Sequence, residues 1–494
     1  MNNNFRDKNE PSFRKNIVLN LALQFVSYLV PLILAPYISR CLGAKGVGAY
    51  AYASSIVAYF VLVIGSGFSS YGTKRIAEHR DSKRLVSDTF GEIVVCRFFL
   101  FVVTLILYFI IVYGTSLTSE QDKRIYLVLV ICMISAMIDP TVVFQGLERI
   151  KVFTIINIIV NIIYMVSIFL FIHDISDLIM YTLLKSCVQL VSFTGSYIYL
   201  REILIKPNIK YSEIIKTLKG GLVFFIPSMI TRITPMIDQT MLGKMSSTMQ
   251  VGYYEQANKI KILAASVVFA FAPIILSRVA YLHKNNNYKE ADNKLTKIIY
   301  LSLYFLFPVV IGLYVISRYF FPMYFGKEFV NSVEVMYWLL PSLVFSSIAT
   351  LLLDGGLYAT DRINVATKAL LVCDSINLVT NYLIIPRFGA KGAAFTSSFS
   401  NGLLLLWCVL STKDFVSYRE VIKRTYRILF SAVIMGMILG VTSNRLDVIG
   451  IPFLIIVIIC ILEGAMAYVV LNMLIKDELT LLFIKTIKEL YGNN

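Results

Sequence analysis

Ionisable side chains interrupt the apolar runs of this sequence, and they are the residues that could do chemistry. Arg232 stands deep inside one run, while Glu255 and Lys259 are spaced i, i+4 in the next run. A guanidinium binds phosphate through two parallel hydrogen bonds, so Arg232 suits an anionic ligand that carries phosphate. The remaining ionisable residues within apolar runs include Arg97, Asp139, Lys185, Asp238, Asp354, Asp374 and Glu463. Lysines and arginines spread thinly through a membrane cavity would bind a pyrophosphate or acidic sugars.

Each of these charges also has a structural interpretation. Glu255 and Lys259 have the favourable order for a helical ion pair and could simply neutralise each other. Arg97 could extend to the lipid headgroups, and Asp139 precedes a proline and could cap a helix break. Arg232 lies about 20 Å along its helix at 1.5 Å per residue, which is too deep to reach water easily. A cavity role is therefore best supported for Arg232.

The apolar runs themselves predict an all-α, polytopic membrane protein. The chain has 494 residues, of which 57% are hydrophobic and 15% charged, with a mean hydropathy of +0.73. A run of about 20 apolar residues crosses a bilayer core of about 30 Å as a helix. The sequence predicts about 14 transmembrane helices, at 17–39, 47–67, 89–113, 125–145, 153–172, 178–200, 219–242, 252–277, 297–317, 334–357, 366–385, 391–411, 426–443 and 449–474.

The basic residues predict the orientation of these spans. With both termini in the cytoplasm, the inner segments carry 30 Lys and Arg and the outer loops carry 10. This asymmetry follows the positive-inside rule. The Lys and Arg residues on the inner side, which anchor the protein at the inner leaflet, account for most of the net charge of +16. The charge therefore needs no nucleic-acid partner to explain it. We expect a multi-pass protein of the cytoplasmic membrane.

A repeated polar motif predicts an internal duplication. The stretch "GLERIKVFT" at 146–154 matches "ATDRINVAT" at 359–367 at an offset of 213 residues. The two copies follow spans 4 and 10, so both face the cytoplasm, and the repeats are expected to be parallel. The predicted organisation is an N-terminal six-helix bundle (1–205), a second six-helix bundle (206–415), and two further helices with a cytoplasmic tail (416–494).

A second pair of motifs supports the duplication. "LGAKGVGAYAYASSI" joins spans 1 and 2, and "LGKMSSTMQVGYYEQANKI" joins spans 7 and 8. With a four-residue insertion in the second copy, Gly48 aligns with Gly252 and Ala53 with Ala257. At the offset of the first motif, Asn161 aligns with Asp374, which favours a proton or cation site in the second bundle.

Two prolines occur in each helix that precedes this second motif. They are Pro31 and Pro36 in span 1, and Pro227 and Pro235 in span 7. Proline removes a backbone donor and kinks a helix. Paired broken helices indicate a transport site, and these prolines are candidate hinges. Kinks that serve packing alone remain the alternative.

Several classes of chemistry lack a signal in this sequence. There is no GxxxxGK[ST] loop for ATP, and the three histidines all fall in predicted loops. The seven cysteines have no metal-ligand or disulfide spacing. We predict no catalytic residues, no metal site and no cofactor.

These features resemble the polysaccharide repeat-unit flippases (Wzx type) of the multidrug/oligosaccharidyl-lipid/polysaccharide exporter superfamily. The resemblance is carried by the fourteen spans, the duplication, "FQGLERIKVFTIINII" after span 4, and the segment 242–260. It implies a flippase that moves a polyisoprenyl-pyrophosphate-linked oligosaccharide from the inner to the outer leaflet by alternating access. It also implies contacts with membrane lipids and possible contacts with other polysaccharide-assembly proteins.

The resemblance also suggests roles for the membrane charges. Substrate would be held by cationic side chains of the cavity, namely Arg232, Lys259, Arg97 and Lys185. Coupling to H⁺ or Na⁺ would use a carboxylate from among Asp238, Asp374, Asp354 and Asp139. Alternatives are a multidrug antiporter of the same superfamily and, from another class, a membrane polysaccharide polymerase. The cationic residues and two extra helices argue against the antiporter, and the short outer loops argue against the polymerase.

Overall fold

The structure is a computed structural model that describes residues 13–114, 120–269 and 272–482. Within these ranges it is almost wholly helical and contains no β-strand. The fourteen α-helices are α1 (Phe13–Glu78), α2 (Lys83–Gly114), α3 (Glu120–Ile138), α4 (Thr141–Gly146), α5 (Ile150–Phe171), α6 (Leu178–Ile203), α7 (Tyr211–Met245), α8 (Thr248–Phe269), α9 (Ala272–Lys284), α10 (Tyr288–Phe325), α11 (Asn331–Leu352), α12 (Ile363–Ser411), α13 (Tyr418–Val448) and α14 (Phe453–Leu474).

These helices account for all the predicted spans. Among the described residues, ten helical segments are long and apolar enough to cross a membrane. Two of them, in α1 and α12, contain a non-helical glycine and so form two arms each. The less apolar α7, and α8 with α9, lie at the two remaining predicted spans. The predicted all-α membrane fold is confirmed.

Glycine allows the chain to turn inside α1 and α12. Gly43 has φ 63° and ψ 179°, and Gly389 has φ 55° and ψ −133°. Beyond the second break, a Cβ built on Gly392 would lie 3.1 Å from the carbonyl oxygen of Ile384. Eight residues span about 12 Å in a straight helix, so the chain reverses at Gly389.

Gly43→Ala is expected to destabilise the protein. The φ and ψ of Gly43 lie in a region that is almost restricted to glycine, and the strain of a side chain there costs about 1–3 kcal/mol. Thermal unfolding of the detergent-solubilised protein measures this loss. Gly440→Ala is the control, because no described atom lies within 4 Å of a Cβ built at that helical glycine. Equal melting temperatures for the two variants would contradict the prediction.

The repeated polar motif forms the same turn in both copies. Glu148 and Asp361 have φ 57° and 58°, although neither is glycine. In each copy the next amide, of Arg149 or Arg362, donates a 2.9 Å hydrogen bond to the carbonyl five residues earlier. This closes the end of one helix as the next begins. The motif therefore has a structural function, as its position between two spans predicts.

The chain forms two compact units, Met1–Gly252 and Tyr253–Asn494. In the first unit α1 packs along α7, and α3 packs against α6. In the second unit α11 packs against α12, and α10 against α13 and α14. The division falls inside α8 and so includes α7 in the first unit. The predicted domains 1–205, 206–415 and 416–494 follow the sequence repeat and stay predictions.

The two C-terminal helices are fastened to α10 by polar contacts along its length. Arg318 of α10 lies 3.2 Å from Asp447 at the end of α13. The Tyr468 hydroxyl of α14 donates a 2.8 Å hydrogen bond to the carbonyl of Tyr304. Beyond α14, the carboxylate of Asp477 accepts a hydrogen bond from the hydroxyl of a buried α10 tyrosine, Tyr300. These contacts hold α13 and α14 to the second unit.

Candidate functional site

Arg97 lies in the first unit, where its side chain binds Asp139 at a break in the fourth predicted span. Its side chain is 0% exposed. Nη1 donates a 2.6 Å hydrogen bond to the backbone carbonyl of Asp139, and Nη2 donates one of 3.2 Å to Ser69 Oγ. Nη2 also lies 3.6 Å from Asp139 Oδ2. The guanidinium therefore joins α1, α2 and the end of α3, and does not extend to the headgroups.

Asp139 caps the short helix that follows this break. Its Oδ1 accepts hydrogen bonds from the Thr141 amide (2.9 Å) and the Thr141 hydroxyl (2.6 Å). The carbonyl of Ile138 is satisfied by the hydroxyl of Tyr197 at 2.8 Å. Backbone N–H and C=O groups that lose their helical hydrogen bonds at membrane depth need such partners. The structural interpretation of Asp139 is confirmed, while substrate contact by Arg97 and ion coupling by Asp139 stay predictions.

Lys185 lies among aromatic rings of the first unit. Its ammonium is 5.2 Å from the ring centroid of Tyr164, which is a cation–π contact. Tyr181, one turn earlier on the same helix, meets Tyr50 edge-on with the ring centroids 5.0 Å apart. The predicted substrate residue is thus half-buried, with its charge against a tyrosine face.

Helix α7 contains the two predicted site residues Arg232 and Asp238. The backbone of Arg232 is helical, but its side chain lies outside the described part of the chain. Asp238 is 2% exposed and lies within electrostatic range of Tyr59 on α1. Nearby, the hydroxyls of Ser55 and Thr240 are 2.9 Å apart. Asp238 is therefore buried where α7 packs against α1.

The candidate hinges lie in continuous helices. Pro31 and Pro36 are inside α1, and the non-helical residue of that helix is Gly43. Pro235 is an exposed residue of α7, whereas the side chain of Pro227 falls outside the described residues. The hinge role of the four prolines stays a prediction.

The predicted ion pair of α8 is present in the second unit. Lys259 Nζ lies 3.2 Å from Glu255 Oε1. The lysine side chain is 39% exposed and the glutamate side chain 19% exposed. Lys259 therefore keeps part of its surface available to a ligand while its charge is partly balanced.

Asp354 occupies an irregular turn at the end of α11. Leu353–Tyr358 is a π-helix, a conformation that often marks functional sites. The Asp354 side chain is exposed, and it forms no salt bridge with a basic side chain in the described ranges. Asp374, on the first arm of α12, is half-buried. Among the four carboxylates predicted for ion coupling, Asp354 is the one that combines an exposed side chain with a π-helical backbone.

A buried polar ladder in α12 was missed by the sequence analysis. Asn381 donates to Asn377 Oδ1 at 3.1 Å, and Asn377 donates to Ser400 Oγ at 3.4 Å. The hydroxyl of Thr396 donates to Asn381. The spacing N-x-x-x-N places both asparagines on one helix face and could have revealed them. The ladder joins the two arms of α12 across the turn at Gly389.

The part of the chain that the structure describes contains no group of three or more His, Cys, Asp or Glu residues that could hold a metal ion. Its charges are instead distributed along membrane-crossing helices.

A family model with the description "Polysaccharide biosynthesis protein" matches residues 13–276, which is more than half of the chain. The chain belongs to this polysaccharide biosynthesis protein family. Its predicted resemblance to polysaccharide flippases is confirmed at the level of the family.

Two relatives of this member of the polysaccharide biosynthesis family share one name, which describes them as transporters. A protein of Escherichia coli (strain K12) named "Putative O-antigen transporter" is 26% identical over 257 residues, which are 51% of this chain and 61% of that protein. This match spans less than two thirds of the relative's length. A protein of Shigella dysenteriae with the same name is 22% identical over 408 residues, covering 81% of this chain and all of that protein.

A solved structure of a flippase has the same fold as this family member. "Lipid II flippase MurJ, inward closed conformation" superposes with a TM-score of 0.75 and 16% sequence identity. The superposition covers 94% of this chain and 99% of the other. At this identity the likeness shows the shared fold alone.

Proposed function

We propose that this protein moves a polyisoprenyl-pyrophosphate-linked oligosaccharide repeat unit from the inner to the outer leaflet during surface polysaccharide synthesis. The observation that carries this proposal is the family match over residues 13–276 in a chain of membrane-crossing helices. The relatives named as O-antigen transporters and the fold shared with a lipid II flippase support the same class. They favour a transporter over a membrane polymerase, so the protein is not assigned an enzymatic activity.

The ligand chemistry rests on two cationic residues. Arg232 lies in the middle of α7, where an unbalanced charge would be costly unless it faced a cavity or a partner. Lys259 is partly exposed on α8. Arg97 is fully enclosed by protein partners, and Lys185 lies against a tyrosine. We therefore propose Arg232 of the first unit and Lys259 of the second unit as separate candidates for recognition of pyrophosphate or acidic sugar.

Ion coupling is proposed for the second unit. Asp139 lies close to the guanidinium of Arg97 and also caps α4, so its negative charge is already compensated. Asp354 is exposed in a π-helix and forms no salt bridge within the described residues. A free carboxylate can bind a cation or a proton, whereas a compensated one does so at a higher cost. We propose that H⁺ or Na⁺ acts at Asp354.

The protein is proposed to lie in the cytoplasmic membrane with both termini in the cytoplasm. The positive-inside distribution of Lys and Arg supports this orientation. The terminal segments 1–12 and 483–494 lie outside the described residues. Labelling of single cysteines placed near residues 80 and 450 with a membrane-impermeant maleimide tests the orientation. The proposal requires a reaction at 450, but not at 80, in intact cells.

Deletion of the gene tests the function directly. A flippase mutant is expected to accumulate lipid-linked oligosaccharide on the cytoplasmic face and to lose the surface glycan. Extraction of the lipid fraction, followed by mass spectrometry, measures the accumulation and identifies the sugar. Unchanged surface glycan together with new drug sensitivity would instead indicate a multidrug antiporter.

Arg232→Ala is expected to abolish export while the protein level stays intact, because the guanidinium is assigned to the ligand rather than to packing. Complementation of the deletion strain measures export, and an immunoblot of the membrane fraction measures the protein level. Lys244→Ala is the matched control, since Lys244 is an exposed residue near the end of the same helix. Normal export in the Arg232 variant would contradict this role.

A further inference from the structure

One residue of α6 departs from the exposure pattern of its helix in the middle of the membrane. Gln189 is the central residue of the predicted span 178–200, and it lies seven residues from both Thr182 and Ser196. Seven residues are about two turns, so the three side chains share one face of α6. Thr182 and Ser196 are 0% exposed, whereas Gln189 between them is exposed. The buried face of α6 is therefore open at the level of Gln189.

The lipid-facing side of α6 lies elsewhere on the helix. Its exposed apolar residues include Leu183, Val191 and Ile198. At about 100° per residue, each of these lies at least about 120° around the helix from Gln189. Gln189 is thus on the side of α6 that packs against α3 and α5, two helices of the first unit. An exposed glutamine on this side indicates an opening inside the first unit.

Two contacts fix how α5 lies along α6. A Cβ built on Gly195 would lie 3.5 Å from Ile156 Cγ2, and the ammonium of Lys185 lies 5.2 Å from the ring centroid of Tyr164. The later residue of α6 thus meets the earlier residue of α5, so the two helices are antiparallel. Residues between these two contacts therefore face each other in antiparallel order.

In this register Asn161 of α5 lies at the level of Gln189. Asn161 is half-buried, as is Asn157 one turn away on the same face. Asn161 Nδ2 donates hydrogen bonds of 2.8 Å to both the side-chain and the backbone oxygen of Asn157. The remaining side-chain atoms, namely Asn161 Oδ1, Asn157 Nδ2 and the amide of Gln189, form no hydrogen bond with a described residue. Donors and acceptors of three amides are therefore available at the opening.

A lysine and a group of tyrosines close the predicted outer end of the opening. Lys185 precedes Gln189 by one turn of α6, about 6 Å along the axis, and its side chain is half-buried. Beyond it Tyr164 and Tyr181 are buried, and Tyr181 meets Tyr50 of α1 edge-on. The opening thus has a cation and aromatic rings at one end and amides along its length. We name Asn157, Asn161, Lys185 and Gln189 the amide site.

Helix packing does not account for these amides. Asparagine and glutamine in membrane helices commonly join neighbouring helices by hydrogen bonds. Here the hydrogen bonds of the Asn161 side chain stay within α5, and Gln189 makes none with a described residue. An amide without a partner in apolar surroundings costs free energy, so the site needs a polar ligand or water.

Amides suit a ligand that is rich in hydroxyl groups. Each amide offers both donors and acceptors, and a sugar hydroxyl likewise donates and accepts. The lysine adds a charge-assisted hydrogen bond to a sugar carboxylate or other sugar oxygen. We infer that the amide site is a carbohydrate-binding subsite of the first unit, which holds a sugar residue of the oligosaccharide. This inference rests on the proposed function, and it gives the sugar a site separate from Arg232 and Lys259.

Binding of free oligosaccharide tests the inference without any transport. The probe is the oligosaccharide released by mild acid from the lipid fraction of the parent cells, which carries neither lipid nor pyrophosphate. Gln189→Leu and Asn161→Leu should each weaken its binding to the purified protein about tenfold, through the loss of a hydrogen bond. Lys185→Met should weaken binding at least as much, because a hydrogen bond from an ammonium is stronger. Isothermal titration calorimetry measures the dissociation constants.

Thr194→Val is the matched control for these variants. Thr194 is an exposed residue of the same helix, and it lies on the lipid-facing side with Leu183 and Ile198. This variant should bind the oligosaccharide as the unsubstituted protein does, and melting temperatures in detergent show that each variant is folded. Folded variants of Gln189 and Asn161 that bind with unchanged affinity would overturn the inference.

A reporter cysteine gives a second test that does not depend on a loss of binding. Gln189→Cys should react with a small water-soluble maleimide, and the oligosaccharide should slow this reaction several-fold. Lys45→Cys, at an exposed position of α1, is the control whose labelling should not change. Site-resolved mass spectrometry separates the reporter from the seven native cysteines. A residue-189 cysteine that does not react, or that the oligosaccharide does not protect, would contradict the proposed subsite.

Inorganic pyrophosphate distinguishes a sugar site from a general anion site. Pyrophosphate should leave the labelling of the residue-189 cysteine unchanged, because amides carry no charge and offer no bidentate guanidinium. Protection by pyrophosphate as strong as that by the oligosaccharide would overturn the assignment to sugar.

The binding readouts keep this inference separate from the proposed function. If the oligosaccharide binds and the amide variants weaken it, while the unsubstituted protein moves no lipid-linked oligosaccharide, the subsite stands and the proposed function fails. If lipid-linked oligosaccharide is moved while the amide variants bind and transport normally, the subsite fails alone.

Discussion

Arg97→Ala is expected to remove most of the folded protein from the membrane. The substitution leaves the Asp139 carboxylate near the break in span 4 without its guanidinium partner, and leaves the Asp139 carbonyl without its 2.6 Å donor. Removing one member of a buried ion pair typically costs about 3–5 kcal/mol. The loss should appear as a lower protein level and a lower melting temperature in detergent.

Two further variants show whether the pair itself is responsible. Arg318→Ala breaks an Arg–Asp pair whose arginine side chain is 53% exposed, and such a surface pair is worth only about 0–1 kcal/mol. The double variant Arg97→Met with Asp139→Asn removes both buried charges but keeps an acceptor for the Thr141 amide. It should recover stability relative to Arg97→Ala, because no uncompensated charge remains.

The Arg97 variants also separate packing from substrate binding. If Arg97→Ala is as stable as the unsubstituted protein and loses only transport, then the guanidinium serves the ligand and the packing argument is wrong. If the double variant is stable and transports normally, the arginine is needed for structure alone. Protein level and transport therefore have to be measured on the same membrane preparations.

The sequence predicts those features that depend on local pattern. The nine aligned residues of the repeated motif predict the turn at Glu148 and Asp361, and both copies adopt left-handed φ values of 57° and 58°. The i, i+4 pair of Glu255 and Lys259 was likewise expected from spacing, and it is present at 3.2 Å. Periodicity and spacing constrain neighbours along a helix, so these predictions succeed.

Contacts between helices could not be predicted in this way. Arg97 and Asp139 are 42 residues apart, and the sequence predicts separate roles for them, yet they form one ion pair. The break in α1 occurs at Gly43 rather than at Pro31 or Pro36, because a positive φ interrupts the helix there while the prolines remain helical. One sequence alone does not show which helix faces which, so partners across helices become known only from the structure.

The π-helix at Asp354 could not be predicted from the sequence either. The sequence "LLLDGGLYATDR" shows two glycines after the aspartate, but it does not reveal the extra residue in the helical turn. Asp139 and Asp354 both stand near the end of a span that leads into the repeated turn. Their surroundings differ, since one has an arginine beside it and the other is exposed. This difference supports the proposal that the two aspartates have different functions.

Asp354→Asn is therefore expected to uncouple transport from the ion gradient. A carboxylate 4 Å from a monovalent cation contributes about 4 kcal/mol at an effective dielectric constant of 20, so its loss should weaken cation binding by up to about a thousandfold. Asparagine keeps the size and polarity of the side chain, and the fold should be retained. Transport of a lipid-linked oligosaccharide in proteoliposomes, with an imposed H⁺ or Na⁺ gradient, measures the effect.

Asp361→Asn is the matched control for this experiment. Asp361 follows Asp354 by seven residues and holds a left-handed conformation that asparagine also adopts readily. Its transport should remain dependent on the gradient, while that of Asp354→Asn should not respond when the gradient is removed. Dependence that survives in Asp354→Asn but is lost in Asp374→Asn would move the coupling site to α12. Because the charge of Asp139 is compensated by Arg97, Asp139→Asn should lower the stability of the protein while transport stays dependent on the gradient. Lower stability with retained coupling distinguishes a structural carboxylate from a coupling one.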